Sequence, residues 1–229
     1  MRPAWVTRQI ANLVAQFCAG SGNAAWIGVS DREMLATVDR GSVRVAPFRL
    51  GGGYRLLPGL AIEDGFVWVP GATGGEPELW LSPTKTGYRE IFENFAKRFL
   101  GAPGLAGAEV QIDHVFPKKA GALDGLAYVR MLAIPPESNM AAGRTVERAM
   151  AGRAAAAPRG KLVRLATYYT IGKATGFAGY DRLPDAQDAN ANRPAVMALF
   201  AHLRGFGLPP DVLTALDARL TADTLTRHR

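Results

Sequence analysis

The run Ile112-Asp113-His114-Val115-Phe116-Pro117 sets a carboxylate beside an imidazole at the end of an apolar stretch, and Asn139 follows His114 by 25 residues, with Gly143 four further on. Carboxylate, amide-carbonyl and water oxygens are the ligands of hard divalent cations such as Mg2+ and Mn2+. Imidazole is the side chain best suited to take a proton from water near neutral pH. Successive side chains of an extended strand point to opposite faces. One of the two can therefore hold a metal while its neighbour meets the water to be activated. The chain has only three histidines. His202, between Ala201 and Leu203 on an apolar helix, reads more simply as a packed or surface residue, and His228 as part of a frayed Thr-Arg-His-Arg tail.

These residues need elements to position them. Strands are expected over Glu109 to Asp113 and Ala127 to Ile134, joined by a loop holding Lys118, Lys119 and Gly121 to Gly125. Pro135-Pro136-Glu137-Ser138 then introduces a helix to about Ala156, since proline suits a first turn and Ser138 or Glu137 can satisfy free amides there. Such a hairpin and helix can clamp one ion between them, with Asp113 at the strand end facing Asn139 in the first helical turn. About 45 residues cannot build a core alone, so the flanks must help. Residues 4 to 19 show helical spacing and stop at Gly20-Ser21-Gly22. From Ala25 to Leu81, short apolar runs between Gly and Pro turns (Trp26 to Val29, Ser42 to Phe48, Gly65 to Val69, Glu78 to Leu81) read as a small antiparallel sheet. Tyr88 to Leu100 is an amphipathic helix, ended by Gly101-Ala102-Pro103-Gly104, a candidate module boundary. Further helices are expected over Lys161 to about Ile171, Arg193 to Arg204 and Pro210 to Thr226. The glycine runs Gly51 to Gly53 and Gly71 to Pro77 lack the Gly-Lys-Ser/Thr continuation of a phosphate-binding loop.

With those elements in place, the chain resembles the HNH, or ββα-metal (His-Me finger), endonuclease family. Asp113-His114-Val115 followed by Pro117 is similar to that family's Asp-His-Ile-x-Pro strand end, and Asn139 with Gly143 to its helical Asn-x-x-x-Gly element. The resemblance covers about residues 108 to 150. It implies Asp113 and Asn139 as ligands of one divalent metal, Mg2+ or Mn2+, and His114 as the general base, with the metal polarising the scissile phosphate. The family's middle asparagine, which braces the loop presenting the histidine, has no counterpart in Ala127-Tyr128-Val129-Arg130. Asp124 or Tyr128 is the candidate replacement. The implied fold class is α+β, a ββα-metal hairpin-helix (105 to 158) between an N-terminal helix and antiparallel-sheet targeting module (1 to 104) and a C-terminal helical region (159 to 229).

Composition fits that reading. The chain of 229 residues is 48% hydrophobic and 21% charged, without an apolar run of the ~20 residues a membrane span needs. The basic start is broken by Arg8, Gln9 and Asn12, which argues against a signal peptide and for a cytoplasmic start. A single cysteine, Cys18, excludes a disulfide framework or cysteine zinc cage. The net charge of +7 suits a polyanionic partner. Seven basic residues against the single acid Glu147 lie between Met140 and Tyr180. Lys118, Lys119, Arg144 and Arg148 are the candidate phosphate contacts, while Tyr168 and Tyr169 fit the core better than base stacking. Glu137 reads as a helix-start acid before it reads as a further ligand. The sequence thus points to a metal-dependent nuclease acting on double-stranded DNA. It would serve as a cytoplasmic restriction or defence enzyme, or as a toxin delivered into a target cell and paired with an immunity protein. Symmetric double-strand cuts would need a homodimer. The rivals are a catalytically inactive nucleic-acid-binding module of the same shape and an RNA-cleaving enzyme.

Overall fold

A computed structural model describes residues 2–19, 25–37, 52–71, 75–156, 163–182 and 193–215. The expected strand at 42–48 and His228 lie outside the described residues. The chain mixes helices with an antiparallel sheet: α1 (Ala4–Ala19), β1 (Trp26–Val29), α2 (Glu33–Thr37), β2 (Gly53–Arg55), β3 (Gly65–Val69), β4 (Glu78–Leu81) and α3 (Tyr88–Phe99) lead into β5 (Gln111–His114). Then come α4 (Lys118–Leu123), β6 (Tyr128–Ile134), α5 (Pro136–Arg144), α6 (Val146–Ala156), β7 (Val163–Leu165), α7 (Tyr168–Thr175) and α8 (Arg193–Phe206). Among the described residues no helix is long and apolar enough to cross a membrane.

The strand order is β2-β3-β4-β6-β1-β7, with β5 paired to β6. All pairings are antiparallel. β6 is the hinge of this arrangement. Its first residues pair with β4 and β1, and its last four, Met131 to Ile134, pair with β5. All seven of its residues are buried, as a strand covered on both faces requires. Met131 and Ala133 face a core shared with α1, α3, Ile112, Leu79 and Leu81. Leu132 and Ile134 face a second core built with α5, α7 and α8. Arg130 crosses between sheet and helix: its guanidinium lies 3.2 Å from Glu78 and donates to Gln16 Oε1 at 2.8 Å, while Gln16 donates to Glu78 at 2.7 Å. All three are buried, so each charge has a partner where water is excluded.

Three expectations need correction. The loop after β5 contains a short helix, α4, because Pro117 precedes it and Gly121 and Asp124 close i to i−4 bonds onto Pro117 and Ala120. The single helix expected from Ser138 to Ala156 is two. Thr145, at φ −119° and ψ −92°, ends α5 while its hydroxyl bonds back to the Ala141 carbonyl, a competition with the helical ladder that Ser and Thr make readily. The helix expected from Lys161 begins only at Tyr168, since Thr167 and Thr170 form a capping box there. The residues before it form β7 on the open edge of β1. β7 packs closely: a Cβ on Gly28 would come within 3.1 Å of Arg164 Cβ and 2.6 Å of Leu126.

Candidate functional site

β5 alternates as its sequence requires, Ile112 and His114 buried, Gln111 and Asp113 half-buried. The register pairs Asp113 with Leu132 and His114 with Met131. Asp113 thus shares the face toward α5 and α7, and His114 the face toward α3. β5 pairs with no strand but β6 among the described residues, and along its free edge runs an open cleft of about 480 Å3. The cleft is lined from the strand by Gln111, Ile112 and Asp113, from α5 by Asn139, and from the start of α3 by Gly87, Tyr88 and Arg89.

Asp113 and Asn139 therefore meet in one cleft, as their sequence positions suggest. Pro135 and Pro136 start α5 so that the Asn139 amide closes its first turn on the Pro135 carbonyl. The Asn139 side chain donates from Nδ2 to Gln111 Oε1 at 2.8 Å, and its Oδ1 is buried with no hydrogen-bond partner among the protein atoms. An amide oxygen that has lost water without gaining a donor is costly, and it is an acceptor suited to a cation. Asp113 is held at both oxygens: Oδ1 accepts from the His114 backbone amide at 2.8 Å and Oδ2 from Lys173 Nζ at 3.1 Å. No cluster of three or more His, Cys, Asp or Glu that could hold a metal occurs among the described residues. One carboxylate with one or two amide oxygens fits a hard divalent cation that keeps most of its waters, and does not fit zinc.

His114 is in a different position from the one its expected role calls for. It is 1% exposed, and neither ring nitrogen has a hydrogen-bond partner. Burial pulls its pKa down to about 4, offset in part by Asp113 and the Ser82 backbone and reinforced by Lys118 and Lys173. The ring is neutral at pH 7, the state a base needs, but it lies behind Tyr88, which packs edge-on against it at 5.4 Å between centroids and also lines the cleft.

Of the candidate braces, Asp124 is buried, caps α4 and pairs with Arg164 of β7, whose guanidinium lies 4.6 Å over the Phe116 ring. That chain of contacts ties the connection after His114 to the sheet. Tyr128 instead donates its hydroxyl to the Ile62 carbonyl at 3.0 Å. Lys118, Lys119, Arg144 and Arg148 are all exposed, as is Glu137. The basic stretch after Met140 does not form one solvent-facing wall: Arg164 is paired with Asp124, and Lys173 is 3% exposed. Tyr168 and Tyr169 are buried, and His202 is half-buried with Nε2 3.0 Å from the Thr175 hydroxyl.

Two residues at the site carry a sequence signal that the motif reading passes over. Lys173 is the lone charge on a helix whose neighbours Tyr168, Tyr169, Ile171, Gly172, Ala174 and Thr175 are all buried. Glu147, the single acid of that basic stretch, is its partner. Burial disfavours the Lys173 charge, but Asp113 and Glu147 outweigh it and move its pKa up. Burial also raises the Glu147 pKa, against the opposing pull of Lys173. No family model, curated protein or solved structure matches the chain.

Proposed function

We propose that the chain is a metal-dependent endonuclease of the ββα-metal class, hydrolysing DNA phosphodiesters with Mg2+ or Mn2+. The observation that carries this reading is the cleft at the β5 edge, which Asp113 and Asn139 both line, the Asn139 Oδ1 being without a protein partner. The hairpin β5–β6 followed directly by α5 supplies the strand-strand-helix order the motif requires. When bound, the metal would supply charge stabilisation at the scissile phosphate. Asp113 and Asn139 would hold it, Arg89 and the exposed Lys118, Lys119, Arg144 and Arg148 are available to phosphates, and His114 would accept the proton of the attacking water. The last role requires the Tyr88 ring to move aside.

Incubating supercoiled plasmid with the protein and Mg2+ or Mn2+ should give nicked or linear product that EDTA abolishes. Asn139→Ala and His114→Ala should each lower the rate by ~10²-fold or more. Tyr88→Ala, which opens the way to His114, should retain cleavage. Cleavage that is insensitive to EDTA, or unchanged in the His114 variant, sinks the assignment; cleavage of RNA alone under the same conditions moves it to a ribonuclease.

A second reading has its own support. Lys173 neutralises Asp113, and His114 is enclosed, as suits a nucleic-acid-binding module of the same shape without catalysis. Salt-dependent DNA binding without any metal-dependent cut would favour it.

A further inference from the structure

The Lys173 ammonium has three protons to donate and three oxygens around it: Asp113 Oδ2 at 3.1 Å, the His114 carbonyl at 3.4 Å and Glu147 Oε1. The three acceptors come from two elements, the end of β5 and the first turn of α6. The break at Thr145 precedes the turn that carries Glu147. Ser138 Oγ donates to the Lys173 backbone carbonyl at 2.8 Å and fixes α7 against α5. A shell made of oxygens alone, two of them carboxylate, is also the shell a hard divalent cation takes. We infer that Lys173 is a built-in cation: its ammonium fills the position between the Asp113 and Glu147 carboxylates that a divalent metal would otherwise bridge, and confines metal to the cleft side of Asp113. Lys173 is on this view a positioning residue, turning Asp113 Oδ2 inward. Its effect on a cleft metal rests on the nuclease reading above; its occupation of the carboxylate pair does not.

Lys173→Met keeps an unbranched apolar stem and removes the charged terminal atom. Titrated with Mn2+ alone, the variant should bind one ion more than the wild type, with affinity at least about tenfold above any wild-type site, because a second carboxylate replaces a water and a competing charge is gone. Adding Glu147→Gln to that variant should remove the gained ion. Asn139→Ala in the wild-type background should instead weaken only the cleft site. Mn2+ binding by Lys173→Met equal to that of the wild type overturns the inference. If the variant is unfolded in EDTA, recovery of its far-UV circular dichroism and a cooperative melt on adding Mn2+ supports it, and an unfolded chain with and without Mn2+ overturns it. A wild type that neither binds Mn2+ nor cuts DNA sinks the nuclease reading, while the lysine variant still decides this inference.

Discussion

Asp113 and His114 are neighbours that meet different surroundings because a strand turns them to opposite faces, and that division follows from the alternation rule and the apolar flanks alone. How deeply His114 is enclosed does not follow, because its cover comes from Tyr88, 26 positions earlier in the chain on α3. Lys173 was similarly hidden: sixty positions separate it from Asp113, and no local pattern states which acid will meet a lone buried lysine. The enclosed imidazole makes stability depend on pH with a definite sign. With a folded-state pKa of about 4 against 6.5, the unfolded chain binds a proton below pH 6.5 that the folded chain refuses. The stabilisation from keeping the ring neutral is complete above about 6.5 and is lost as pH falls toward 4, on the order of 3 kcal/mol. Urea unfolding at pH 7.5 and 4.5 should therefore show a larger loss for the wild type than for His114→Leu. Parallel losses in the two proteins would mean that His114 takes up its proton in the folded state as easily as in water.

Elements whose signal is local were legible: α1, β3, β4, α3 and α8 carry their periodicity and their stops within their own residues. β7 was not, since it is decided by a distant partner, β1, and the break at Thr145 turns on one hydroxyl bonding back to the Ala141 carbonyl, which the helical spacing of apolar residues does not report. The break divides the exposed cations between two helices. Arg144 ends α5 and Arg148 lies in the first turns of α6, both exposed. If both reach phosphates, replacing the pair by alanine should weaken DNA binding similarly for all sequences. It should also reduce the slope of log affinity against log salt by about 2, at close to 0.9 per phosphate contact on duplex. Fluorescence anisotropy of a labelled duplex across a salt series measures this directly. An unchanged slope would remove these two helices from the DNA-facing surface.

At the scale of the molecule, residues 105–158 contain the whole motif but not the structure that holds it. β6 lies between β4 and β1, and the lower half of the hairpin is sheet only because those two strands flank it. Met131 and Ala133 are covered by α1 and α3 residues, Leu132 and Ile134 by α7 and α8, and the Arg130 charge is met by Glu78 and Gln16 from β4 and α1. Cut out alone, the segment would expose both faces of β6 to water and leave Arg130, Asp113 and Glu147 without their partners on β4, α1 and α7. A fragment of this size buries too little apolar surface to offset its conformational entropy. It should show no cooperative thermal transition and dispersed amide signals should be absent from its proton NMR spectrum, whereas the full chain should melt as a unit. Adding Mg2+ or Mn2+ should not rescue the fragment, since without α7 and the flanking strands nothing holds Asp113, Asn139 and Glu147 in one place, and a few scattered oxygen ligands bind a metal too weakly to drive folding. A folded fragment would show instead that the hairpin and α5 carry their own core, and that the sheet around them is scaffolding for a site already complete.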